Sequence, residues 1–182
     1  TGTLTVAKST LTTNTSEDGT IILTAGSGNS YLWSNGTETV ATTLSYSPSL
    51  TGIYSVEITN TTGCSVNSAP VAIQKITLMK GWNLISTNLQ QSDSSITNLF
   101  KYTDIVEIKD MNSFWRSGQP DAFNKLKTIT PAKGYLVKMN NADTLMISGT
   151  PLTTKNLIFS ITEGWSLLGC PFQISTPFTS YF

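Results

Sequence analysis

The sequence predicts a mainly β chain: an antiparallel β-sandwich followed by a β-rich module, barrel-like or a small sandwich, with one short helix. Three observations carry that prediction. Short runs rich in Val, Ile, Thr and aromatic residues recur along the chain between clusters of Gly, Asn, Asp and Ser, the pattern of strands joined by tight turns. Charged residues are only 12% of the 182, so the polar surface must come from Thr, Ser and Asn, which favour strands and turns over helices. Finally, Phe159-Ser160-Ile161-Thr162-Glu163-Gly164-Trp165-Ser166-Leu167-Leu168-Gly169 re-reads Ile76-Thr77-Leu78-Met79-Lys80-Gly81-Trp82-Asn83-Leu84-Ile85-Ser86. The offset is about 83 residues, a fixed-period self-similarity of the kind that marks repeat modules.

Residues 1–75 read as the sandwich. The β-rich runs are 3–6, 20–24, 30–33, 43–46, 54–58 and 71–73, with turns at Glu17-Asp18-Gly19, 26–29, Asn35-Gly36, Leu50-Thr51-Gly52 and Thr62-Gly63; short strands at this spacing suit a sandwich. Trp33 stands mid-strand and is expected in the core, the alternative being a sugar-stacking platform. Gly52-Ile53-Tyr54-Ser55-Val56 resembles the tyrosine-corner segment of immunoglobulin-like domains, and that resemblance implies that the Tyr54 hydroxyl is tied to upstream backbone.

Residues 76–161 read as a β-rich repeat module. Strands are expected at 76–78 and 82–85, with a tight hairpin or bulge at Lys80-Gly81. Ser92 or Asp93 should cap a short helix whose face is Ile96, Leu99 and Phe100. A strand over 105–109 leads into the turn Asp110-Met111-Asn112-Ser113 and then Phe114-Trp115-Arg116. Pro120 starts a helical turn carrying Phe123 and Leu126, 130–134 turns again, and strands 135–139 and 144–148 close the module. Allowing one deletion, Phe178, Tyr181 and Phe182 repeat the apolar face of Ile96, Leu99 and Phe100. Residues 162–182 are therefore expected to be the truncated start of a second repeat packed on the first, and the chain a piece of a longer modular protein. Trp165–Leu168 is expected to add a strand beside 156–161, and Trp82 and Trp165, equivalent in the two copies, to be core anchors.

Two resemblances refine this. Tyr31-Leu32-Trp33-Ser34-Asn35-Gly36, then Gly52-Ile53-Tyr54-Ser55-Val56, then Asn60-Thr61-Thr62-Gly63-Cys64, resembles the Ig-like/PKD-like repeats of secreted and surface proteins of the Bacteroidetes phylum. The resemblance implies an Ig-like spacer, with Val56 where antibody domains place a cysteine, so that the usual inter-sheet disulfide is ruled out. Gly81-Trp82-Asn83-Leu84-Ile85-Ser86, then Phe114-Trp115, then Pro131-Ala132-Lys133-Gly134-Tyr135-Leu136-Val137-Lys138, then Leu145-Met146-Ile147-Ser148-Gly149, is similar to a Gly-Trp-Asn-Leu repeat module of bacterial and archaeal surface proteins. Ala132 replaces the first glycine of that family's middle motif. This second resemblance implies an extracellular setting.

Composition excludes several chemistries. Eleven basic and eleven acidic residues cancel, so there is no basic field for nucleic acid or anionic lipid, and no apolar run approaches the roughly 20 residues that span a bilayer. The chain has no histidine, which removes the commonest general base and transition-metal ligand together. Cys64 and Cys170 fall in different predicted units, so no intradomain disulfide is expected. Asp104 and Asp110 share a strand face about 20 Å apart, with Glu107 on the other face, which does not suit a carboxylate pair across a cleft. No catalytic residue, metal site or cofactor is expected.

The candidate ligand residues are Trp115 as a sugar platform with Phe114, Arg116 and Asp121 beside it; alternatively Trp115 is a half-buried cover for the module's end. Asn14-Thr15-Ser16, Asn35-Gly36-Thr37 and Asn60-Thr61-Thr62 fit the N-glycosylation pattern, and Asp143-Thr144-Leu145 resembles the O-glycosylation site of Bacteroidetes exported proteins, with Thr144 as acceptor. The expectation is a secreted or cell-surface, non-catalytic spacer or adhesion segment. The alternative is a carbohydrate-binding module of a secreted polysaccharide-degrading enzyme. Expected partners are a polysaccharide or cell-surface glycan, or neighbouring repeats through self-association.

Overall fold

The computed structural model describes residues 10–152 and 163–169. The chain divides into two compact units, Thr1–Lys75 and Ile76–Phe182, both built mainly from antiparallel strands.

In the first unit the strands are β1 (Leu11–Thr15), β2 (Ile21–Ala25), β3 (Ser30–Ser34), β4 (Thr39–Ala41), β5 (Ser45–Tyr46), β6 (Gly52–Thr59), β7 (Ser65–Asn67) and β8 (Val71–Leu78), the last running past the unit boundary. One sheet has the order β1-β2-β5; in the other, β6 lies between β8 and β3, β4 follows β3, and β7 also pairs with β6. Alternation explains the layers. Ile21, Leu23 and Ala25 of β2 and Tyr54, Val56 and Ile58 of β6 are buried while the residues between them are less so, giving each sheet one apolar face.

Trp33 is fully buried on β3 opposite Val56, and its indole N–H donates to the Thr43 carbonyl at 2.7 Å. It is therefore a core residue and no sugar platform. Tyr46 reaches from the other sheet to within 6.0 Å of the Trp33 ring and 5.7 Å of the Tyr54 ring, and the Tyr54 hydroxyl donates to Leu50 O at 2.9 Å, the upstream tie expected of it. Strands β1, β4 and β7 have no apolar alternation to read: none of their residues is buried, which is why the sequence did not announce them. The run expected at 3–6 lies outside the described residues.

The second unit holds the end of β8, then β9 (Gly81–Ile85), β10 (Leu89–Gln90), α1 (Ile96–Leu99), β11 (Ile105–Lys109), β12 (Phe114–Arg116), a 3-10 turn (Asp121–Phe123), β13 (Tyr135–Met139) and β14 (Asp143–Pro151). One sheet has the order β12-β11-β13-β9; in the other, β14 lies between β10 and β8. Among the described residues neither sheet closes into a barrel. No helix among the described residues is long and apolar enough to cross a membrane.

Helix α1 begins later than its sequence signals suggest. Its N-cap is Ser95, which makes no side-chain capping bond, and Asp93 instead accepts the Ser95 N–H at 2.8 Å. The cap is replaced by tertiary structure, because the Ile96 N–H donates to Lys127 O at 2.9 Å and so satisfies one of the helix's orphan donors. The turn after Pro120 ends at Phe123, which is exposed, while Leu126 is buried beyond it with its N–H on Phe114 O.

The tail differs more. Residues 163–169 form no named strand; they meet the 132–134 turn through a single antiparallel bridge, Lys133 with Leu168, flanked by Gly134 N–H to Leu167 O at 3.1 Å and Gly169 N–H to Ala132 O at 2.9 Å. The proposed partner strand at 156–161 and the Phe178, Tyr181 and Phe182 face lie outside the described residues. Neither Trp82 nor Trp165 is a core anchor: they are 47% and 93% exposed. For Trp82 the reason is periodicity, since Ile85, three positions on, is buried, and residues an odd number apart on a strand face opposite ways.

Candidate functional site

The Gly-Trp-Asn sequence builds a clasp that turns its tryptophan outward. Gly81 adopts φ +90°, a left-handed conformation that side-chain-bearing residues resist. Asn83 locks the turn: its Oδ1 accepts the Met79 N–H at 2.8 Å, and its Nδ2 donates to Met79 O at 2.8 Å and to Gly81 O at 3.1 Å. Trp82, between them, is left on the outer face of β9 together with Leu84. In the second copy Gly164 repeats the left-handed turn at φ +107° and Trp165 is again exposed.

Register carries this face across the whole sheet. One cross-strand row is Trp82, Lys138, Glu107 and Arg116; the next is Leu84, Leu136, Lys109 and Phe114. A register shift between Ile105 and Glu107 interrupts the alternation of β11, so that Ile105 and Ile108, three apart, are both buried. Glu107 and Lys109 share the outer face by simple alternation, opposite Ile108, and the bulge is what turns Ile105 inward together with Ile108. With strands about 4.8 Å apart, the face is about 14 Å wide.

Its chemistry is aromatic and cationic. The Lys109 and Lys138 ammonium groups lie 4.6 and 5.8 Å from the Trp82 ring centroid, within the range of a cation–π contact. The Arg116 guanidinium lies 5.5 Å from the Phe114 ring and forms an ion pair with Glu107 at 2.8 Å. Three cations face one carboxylate, an excess of two positive charges on a chain of zero net charge.

The four residues singled out from sequence are divided by this geometry. Phe114 and Arg116 point outward, while Trp115 takes the opposite face, paired with the fully buried Ile108, and is half-buried. Asp121 is exposed and its carboxylate is engaged by Lys127. The structure thus brings Phe114 and Arg116 together with Trp82, Lys109 and Lys138, and not with Trp115. The missed signal was Lys138, the one charged residue of 135–139, which pairing sets beside Trp82.

The scattered carboxylates are held in turns and pairs. Asp104 accepts from the side-chain amides of Asn140 and Asn141 at 3.0 and 2.6 Å. Asp110 organises its turn, taking the N–H groups of Asn112 and Ser113 and the Ser113 hydroxyl, and binds the Lys133 ammonium at 2.6 Å. Burial alone would raise its pKa, but these donors outweigh it and hold the carboxyl at about 2. Thr144 sits near the start of β14, half-buried, with its N–H on Asp143 Oδ1. Asn35 and Asn60 each use Oδ1 to order their own turns. Cys64 is a free, exposed thiol.

Comparison with known proteins adds no relative: no family model matches the chain, and neither the curated proteins nor the solved structures contain a significant match.

Proposed function

We propose that the chain is a non-catalytic glycan-binding segment of an extracellular or cell-surface modular protein, with the first unit as spacer and the second as the binding module. The observation that supports this reading is the outer face of the β12-β11-β13-β9 sheet. Trp82, Leu84 and Phe114 are large apolar side chains left in water on one sheet face, next to polar groups able to hydrogen-bond hydroxyls. A pyranose ring offers that combination, an apolar face and a polar rim. The Thr, Ser and Asn surface with few charges fits an extracellular setting.

The test is retention of the purified chain on a panel of neutral and acidic polysaccharide matrices. Retention on at least one is expected, together with its loss in Trp82→Ala at an unchanged melting temperature. Absence of retention on every matrix, or a Trp82→Ala protein that binds as well as the parent, overturns the reading.

A second reading, a stack of adhesion repeats, is favoured by the seating of 163–169 on the 132–134 turn. On that reading tandem copies of the module dock through this turn, and self-association is expected in sedimentation over a range of concentrations; a strictly monomeric chain counts against it.

A further inference from the structure

Resting on the glycan-binding reading, we infer that the ligand of the outer sheet face is an acidic polysaccharide whose carboxylates are carried directly on the sugar ring, a uronate polymer. Trp82 is flanked by two ammonium groups, Lys109 at 4.6 Å and Lys138 at 5.8 Å from its ring centroid. Among the described residues neither lysine takes part in an ion pair; Glu107, the acid on this face, is bound by Arg116. The face therefore holds two unneutralised positive charges within one ring's breadth of its largest exposed aromatic surface. A neutral sugar stacked on Trp82 would leave both ammonium groups with only the indole and water as partners. A uronate stacking on Trp82 displaces the two ammonium groups from over the indole and offers them a carboxylate on its own ring, which accepts charge-assisted hydrogen bonds from them.

The position of the charge sets the class of ligand. An acid on a long flexible arm would reach past lysines held this close to the indole, whereas a carboxylate attached to the ring carbon does not. The zero net charge of the whole chain argues against indiscriminate attraction to polyanions, because long-range steering needs a summed field. Recognition here is local: stacking on Trp82, with Lys109 and Lys138 reading the acid.

The experiment measures retention of the full chain by affinity electrophoresis in gels containing polygalacturonate, alginate, neutral dextran, hydroxyethylcellulose or dextran sulfate. Polygalacturonate or alginate should retard the chain at 0.1 M salt. The double variant Lys109→Gln/Lys138→Gln should weaken that retention about tenfold, in line with two exposed charge pairs. Trp82→Ala should abolish retention and Trp82→Tyr should restore part of it, with circular dichroism and melting unchanged in each variant. Retention on a neutral polymer alone overturns the uronate assignment and leaves the glycan-binding reading standing. Retention on dextran sulfate equal to that on the uronates, and insensitive to Trp82→Ala, shows charge adsorption only and overturns it also. No retention on any of the five polymers removes both readings.

Discussion

Ala132 is the non-glycine residue with positive φ among the described residues, at +62°, and it stands where the resembled repeat family places glycine. The left-handed conformation is disfavoured for a residue with a Cβ by about 1 to 2 kcal/mol, whereas glycine adopts it freely at an entropic penalty of about 0.5 to 1 kcal/mol. Ala132→Gly should therefore stabilise the second unit by about 0.5 kcal/mol or more, read as a melting temperature higher by a few degrees; a fall would show that the buried methyl group matters more than the backbone strain. The departure from the motif was legible in the sequence, but its backbone meaning was not, because nothing in a string of residues reports φ. Trp82 teaches the complementary lesson. Trp82-Asn83-Leu84-Ile85 is apolar on both faces apart from Asn83, so periodicity could not choose which residues point inward, and the inward polar position is satisfied by the clasp with Met79 and Gly81.

At the scale of elements, turns hold the second unit's sheet in register, and the Asp110 turn is the most strongly tied. Its carboxyl titrates at about 2, below the ordinary 3.8, so the folded state binds this proton more weakly than the unfolded chain does. Unfolding then takes up a proton as pH falls, and the stabilisation is fully present above about pH 4 and lost progressively towards pH 2. Asp110→Asn should remove about 1 to 2 kcal/mol at neutral pH, a figure discounted because Lys133 is partly exposed to solvent. It should also flatten the acid limb of the stability curve between pH 4 and 2 relative to the parent; denaturant titrations at four or five pH values would show this, and parallel limbs would refute it. Strands with an apolar repeat, such as 105–109 and 135–139, matched their expected bounds. Those made of Thr, Ser and Asn did not, since they join the sheets through backbone bonds with little buried side-chain surface. The bulge in β11 was equally invisible, and with it the inward turn of Ile105.

At the scale of the whole molecule, residues 163–169 seat on the 132–134 turn. A Cβ added to Gly169 would meet the Ala132 carbonyl carbon and the Ser86 Cβ, both at 2.7 Å, so backbone must shift to admit one. Gly169→Ala should cost about 1 to 3 kcal/mol at this contact and speed hydrogen exchange of the Gly134 N–H, which donates to Leu167 O; unchanged protection there would show that the tail does not depend on this close approach. The mainly β architecture and the sandwich of the first unit were readable from composition and turn chemistry alone. The candidate face was not, because it is assembled from four strands separated by turns and a helix, and only pairing brings Trp82 beside Lys138 and Phe114 beside Lys109. The first unit, finally, packs its two sheets together with Tyr46 of one against Trp33 and Tyr54 of the other, and with Cys64 as its one cysteine no disulfide within the unit joins them. Its recovery from denaturant is thus a search by the chain alone, needing neither oxidant nor thiol exchange, and for this unit a reductant in the buffer would serve to keep the exposed Cys64 thiol from oxidation.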